Sequence, residues 1–131
     1  MGIANIETED NHNVNRLIST LAACAIIACA SVPVRAADMD AAKQSYGTFC
    51  VKCHGPGGKG DGPAAATLAV NPRNFTDCAA MGKISDDTLF NVIKNGGASA
   101  NLSKDMQAWS TGFADGEIHD LVAYVRTFCK K

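Results

Sequence analysis

The sequence is short of several things at once. It has no excess of either charge: 12 Lys and Arg stand against 13 Asp and Glu in 131 residues. That balance, with no basic stripe, argues against a nucleic-acid surface, which is built on many phosphate contacts. Aromatics make up only 6% of the chain, with one Trp and two Tyr. So few large rings build a modest core, and a small domain with a modest core is marginal without added help. Histidine is scarce too: His12, His54 and His119 are the only three. None of them forms the pair that a zinc site needs beside its cysteines. No stretch around the cysteines alternates apolar and polar residues as a half-buried strand does. Internal repeats and low-complexity runs are missing from the part after residue 36. The length fits one domain.

Against that sparse background stands Cys50-Val51-Lys52-Cys53-His54. This is the C-x-x-C-H pattern of covalent haem attachment. Two thiols three positions apart can each add to one vinyl group of a single haem. The histidine that follows is placed to ligate the iron. A zinc reading needs more ligands, and Cys78 and Cys129 stand alone. A thioredoxin-like reading needs a βαβ setting, which the flanking sequence does not supply. A covalently held haem c would also provide the large apolar core element that the chain otherwise lacks.

The N-terminus reads as a targeting segment. Leu17 to Val34 carries no charge, with Arg16 before it and Arg35 after it. Val34-Arg35-Ala36 fits a small-residue cleavage signal. This predicts a signal peptide over 1–36, cut before Ala37, and a haem domain over 37–131. Two alternatives compete. Leu21-Ala22-Ala23-Cys24 and Ile26-Ile27-Ala28-Cys29 resemble lipoprotein boxes. The apolar run is also just long enough to span a bilayer uncleaved. All three place the domain outside the cytoplasm, in the periplasm, with membrane contact only if the segment is retained or lipidated. Glu7, Glu9 and Asp10 are unusual at the start of such a segment, and a start at Val14 would remove them.

After residue 36 the pattern is helical. Asp38 is an N-cap candidate for a helix over Met39–Phe49 that runs into the haem motif. Gly55 to Thr76 is loop-like and rich in Gly, Pro and Asn, with a short helical turn expected over Ala64–Ala69. Ser85 caps a helix over Asp86–Asn95, with two acidic residues in its first turn and Gly96-Gly97 at its end. A loop over Ala98–Phe113 carries Met106 and Trp109. The last helix covers Asp115–Cys129, with Ile118, Leu121, Val122 and Val125 on one face. Of the four cysteines in this part, the haem takes Cys50 and Cys53. In an oxidising compartment the remaining two, Cys78 and Cys129, are expected to form a disulfide. The competing reading is two separate buried thiols acting as small hydrophobes.

In this order and spacing the chain resembles the class I cytochrome c family, in its small bacterial monohaem form. The matching pieces are CVKCHGPGGKGDGPA at Cys50–Ala64, NPRNFTD at Asn71–Asp77, the SDDTLFNVIKNGG helix, LSKDMQAW at Leu102–Trp109 and EIHDLVAYVRTF at Glu117–Phe128. The resemblance implies an all-α fold in which N- and C-terminal helices cross around one covalently bound haem. It implies His54 and Met106 as axial ligands, with Met39, Met81 and His119 as lesser rivals for the second position. Gln107 stands where relatives usually carry Pro. The Pro63 carbonyl is implied as the acceptor for His54 Nδ1–H. Tyr46 is implied to pack on Leu121 and Tyr124, with Ala42 at the closest helix contact. Trp109, Phe75 and Phe90 would fill the haem pocket, and Arg73 and Asn74 would reach a propionate.

A Met/His-ligated iron has no open position for oxygen or peroxide, and the sulfur ligand raises its potential. The function expected is therefore a one-electron carrier in a periplasmic electron-transfer (respiratory) chain, not an enzyme. Its partners are redox proteins docking at the exposed haem edge, with no small-molecule substrate. A dedicated subunit of a larger oxidoreductase complex is the alternative. A peroxidase-type enzyme would need an open iron, and no distal His/Arg pair flanks the methionine loop.

Overall fold

The computed structural model describes residues 35–129. The expected export segment thus lies, for residues 1–34, outside the described residues. Among those described there are helices, turns and loops but no strand, so the described part is all-α as expected.

Helix α1 (Met39–Ser45) starts where the Asp38 carboxylate accepts the Ala41 N–H at 3.0 Å. It does not stop before the haem motif. It continues through a π-helical turn (Tyr46–Cys50), in which the Val51 N–H donates to the Tyr46 carbonyl, and into α2 (Val51–His54). Four residues along an α-helix overshoot a full turn by about 40°, and a wider π turn corrects that drift. Ala42 and Tyr46 are therefore both buried, and Cys50 still packs against the same core.

A 3₁₀ turn (Ala65–Thr67) lies within the longer stretch expected to turn. A short helix α3 (Cys78–Met81) follows. Asp77 makes it, by accepting the Ala80 N–H at 3.0 Å, a capping role its side chain favours. Helix α4 (Asp86–Asn95) has the predicted bounds and the predicted Ser85 cap. The last helix, α5 (Asp115–Thr127), ends two residues earlier than the pattern suggested. Its Glu117 carboxylate accepts the Ala114 N–H at 2.7 Å, and all four apolar positions named above are buried.

Helix α1 packs against α5. Tyr46 sits at the contact, with ring centroids 5.3 Å from both Tyr124 and Phe128, in one cluster with Leu121 and Val125. Its hydroxyl donates to the Gly55 carbonyl at 2.8 Å. That bond joins the helix pair to the residue after the haem motif.

The second half of the chain is held by two devices. Arg126 on α5 donates from Nε to the Asp86 carboxylate at 2.7 Å, from Nη1 to the Met81 carbonyl at 2.8 Å, and from Nη2 to the Ile84 carbonyl. This ties α5 to the turn between α3 and α4. The methionine loop is fastened to the end of α4. The Gly97 N–H donates to the Met106 carbonyl at 2.8 Å, Trp109 N–H to the Ile93 carbonyl at 3.1 Å, and Ser110 N–H to the Lys94 carbonyl at 3.0 Å. Gly97 permits this approach: a Cβ there would lie 2.2 Å from the Ser103 carbonyl oxygen and 3.1 Å from Met106 Cβ. Cys78 and Cys129 face one another with Cα atoms 5.3 Å apart, within the reach of a disulfide.

Two outcomes are expected. Arg126→Ala removes three bonds and leaves two backbone carbonyls without their partner, so chemical denaturation should show a loss of about 1–3 kcal/mol. Gly97→Ala should lower stability by a similar ~1–3 kcal/mol through overpacking. Hydrogen exchange should then speed up at the Gly97 and Trp109 positions while α1 stays protected. Unchanged exchange at those amides would show that the loop is held elsewhere.

Candidate functional site

The haem motif bounds a cavity of about 870 Å³. That is within the range of sites built for a sizeable ligand. Cys53 and His54 line one part, and Leu68 to Phe75, residues of α4, and the segment from Ala100 to Met106 supply much of the rest. A smaller adjoining cavity is lined by Tyr46, Cys50, Trp109 and Phe113. His54, Phe75 and Met106 line both. Val70 and Leu102, which line the large cavity, are also exposed, at 57% and 52%.

The C-x-x-C-H spacing works here because the three side chains follow one helical path. Cys50 closes the π turn, and Cys53 and His54 fall in the next turn, α2. Both motif cysteines are unpaired. Burial pushes the Cys50 thiol up to about 11, with Cys53 adding to the effect. The folded site therefore disfavours a thiolate, and a thioether, which carries no proton to lose, suits it better. Burial also lowers His54 below the usual histidine value, against the opposing pull of the Arg73 carbonyl. A neutral imidazole is the form that can offer a ring nitrogen to a metal.

The acceptor for His54 differs from the expected one. Nδ1 lies 3.4 Å from the Arg73 carbonyl, while Pro63 is exposed. The Gly62–Ala64 strap is nevertheless docked on the motif. The Gly62 N–H donates to the Cys53 carbonyl at 3.1 Å and the Ala64 N–H to the Lys52 carbonyl at 2.9 Å. Its N–H groups satisfy the orphan carbonyls that end a helix. The opposite loop, Asn71–Asp77, then serves the histidine. Gly60 lets the two loops meet: with φ +74°, it brings its backbone so close to Pro72 that a Cβ would lie 2.3 Å from that carbonyl oxygen.

Phe75 completes the support. Its ring stacks on His54 at 4.5 Å and 15°. Its N–H donates to the Gly58 carbonyl at 2.6 Å, and the Cys129 sulfur lies 3.0 Å from its carbonyl. The Cys78/Cys129 pair thus sits directly behind the residue that stacks on the histidine.

The other expected site residues divide. Arg73 is exposed and lines the large cavity. Asn74 turns its carboxamide oxygen to the Thr76 N–H and hydroxyl, at 2.9 and 2.7 Å. Trp109 lines the smaller cavity and packs at a tilt against Phe49 and Phe113. Phe90, expected in the pocket, lines neither cavity. It stacks on exposed His119 at 4.4 Å, with Lys94 Nζ 5.4 Å from its ring. Met81 is 1% exposed within the core cluster and lines neither cavity, whereas Met106 lines both. Sequence reasoning missed the Arg73 carbonyl and the π turn. The first carries no residue-type signal. The second shows only in the 42, 46, 50 spacing.

The donor set fits a haem c: two thiols, a neutral imidazole and a thioether around two adjoining, largely apolar cavities. No curated protein matches this chain. The family model for cytochrome c oxidase, cbb3-type, subunit III matches residues 37–125, a stretch that holds the motif, the cavity walls and Met106. The chain belongs to that family, a class I c-type cytochrome family, and is an electron-transfer haem protein.

Proposed function

We propose that this protein carries one electron at a time as a monohaem c-type cytochrome, with the haem joined to Cys50 and Cys53 and its iron held by His54 and Met106. The observation that carries the reading is the placement of His54 and Met106, distant in sequence, on the walls of the same two cavities. When bound, the haem supplies a one-electron couple whose potential a sulfur ligand raises. The chain does the rest. The Arg73 carbonyl and the Phe75 ring orient the His54 imidazole. Gly97 and the end of α4 hold Met106 in place without the proline usual after it. Largely apolar walls would surround the group, and with both iron ligands supplied by the chain no position would be left for oxygen or peroxide.

Redox partners dock over the exposed apolar rim that includes Val70 and Leu102. Arg73 lines the same cavity and would be the residue to pair with a haem propionate. The compartment is outside the cytoplasm, because covalent haem attachment and the uncharged N-terminal run both point to export. Cys78 and Cys129 form a disulfide there. In the chain-entropy model, closing so long a loop contributes roughly 4 kcal/mol. A second reading is a dedicated subunit passing electrons within a larger oxidase complex. The family description favours it, and the internal chemistry is the same. Recovery of the cytochrome from membranes as part of an oxidase, rather than alone, would decide for the subunit.

Replacing Met106 with Ala should abolish the far-red sulfur-to-ferric-iron absorption band, lower the potential and let external ligands bind. Survival of the band in Met106→Ala, with its loss in Met81→Ala, would move the ligand to the core methionine. Because basic and acidic residues nearly balance, partner reduction rates should change only modestly with ionic strength. A steep salt dependence would reveal charges segregated at the docking face. Thiol titration of the denatured, unreduced protein should find no free thiols; two per chain would exclude the disulfide.

A further inference from the structure

Asp120 is a buried acid. The residue keeps 4% of its exposure and lies on α5 beside buried Leu121. It lines neither cavity, so the electron-transfer reading makes no use of it. A carboxylate removed from water needs hydrogen-bond donors and a positive charge, or it destabilises the fold. One side chain supplies both. Arg35 donates from Nη1 and Nη2 to the two carboxylate oxygens, at 3.0 and 2.9 Å. This is the bidentate fork that arginine forms best. Arg35 reaches in from the surface, with its side chain 61% exposed. Gly116, about a turn earlier on α5, lies beside the guanidinium: a Cβ there would be 3.8 Å from Nη1, an ordinary contact.

Arg35 lies outside the family match, which begins at residue 37. A cut before Ala37 would discard it and leave Asp120 without that cation. We propose instead that Arg35 is retained in the mature protein as the partner of Asp120, and that export processing falls upstream of it. The sequence offers such a site. Leu17 to Ile27 is an uncharged run of 11 residues, a suitable length for the apolar core of an export signal. Ala28-Cys29-Ala30 follows directly, with small residues in the A-x-A arrangement that cleavage prefers. The mature chain would then begin at Ser31, and the Arg35–Asp120 pair would pin its N-terminal end to the last helix. The pair is independent of which residues ligate the iron.

Intact-mass spectrometry of the exported holoprotein reads the start directly. A chain beginning at Ser31 is expected, and any start that keeps Arg35 supports the proposal. A start at Ala37 or beyond overturns it. Thermal unfolding of the holoprotein tests the pair. Arg35→Gln should lower the Tm by roughly 4–8 °C, as loss of one substantial interaction does in a domain of this size. In an Asp120→Asn background, where no buried charge needs a partner, the same substitution should cost under about 2 °C, because the two sites are coupled. Equal drops in both backgrounds, or no drop from Arg35→Gln alone, would overturn it, provided the masses show that each variant keeps its N-terminal residues.

Discussion

The bond from the Tyr46 hydroxyl to the Gly55 carbonyl is the hinge of this structure. Tyr46 is 2% exposed, between α1 and α5, with Tyr124 and Phe128 against its ring. Each such aromatic pair adds about 0.5–1.5 kcal/mol beyond area burial. The hydroxyl at its tip has no water to turn to, so burial raises its pKa, and the neutral O–H donates to the end of the haem motif. Helix packing and the position of Cys53 and His54 are therefore set together. The π turn is the backbone's accommodation of that demand. It lets one helical run present Ala42 and Tyr46 to α5 and still bring Cys50 to the cavity.

Two loops then meet around the motif, and glycine backbones decide how closely. The Gly55–Ala64 segment folds back on α2 and satisfies its terminal carbonyls. The Asn71–Asp77 segment approaches from the other direction across Gly60 and offers its own carbonyl at Arg73 to His54. Phe75 is the common point. It stacks on the imidazole, is held by Gly58, and has the Cys129 sulfur behind it. The second iron-ligand candidate is positioned by different means. With Gln107 in place of a proline, the methionine loop takes its rigidity from hydrogen bonds to α4 and from the close approach that Gly97 allows.

Much of this was legible in the sequence because it rests on local rules. Caps at Asp38 and Ser85 follow from side chains that reach the first free N–H groups of a helix. The bounds of α4 follow from Ser85 and Gly96. The buried face of α5 follows from the spacing of Ile118, Leu121, Val122 and Val125. The haem motif needs five consecutive residues and nothing else. The preference for Met106 over Met81 comes from the resemblance to the family's methionine loop, and Met106 is the one of the two that lines the cavities.

What tertiary structure alone decided are the contacts made by backbone atoms and by residues without a distinctive type. Pro63 and Arg73 both offer a carbonyl, and nothing in their side chains says which reaches His54. The close approach of the Asn71–Asp77 loop across Gly60 brings the Arg73 carbonyl there. Phe90 and Trp109 look alike as aromatic candidates for the pocket. The rotation of α4 sends Phe90 to His119, while the methionine loop brings Trp109 to the cavity. Asp120 stands between His119 and Leu121 and carries no sequence sign of a partner, yet it is buried and paired with Arg35, 85 residues away. Periodicity and motif describe how a segment relates to itself. Which carbonyl, ring or guanidinium meets which partner depends on how segments far apart in sequence come together.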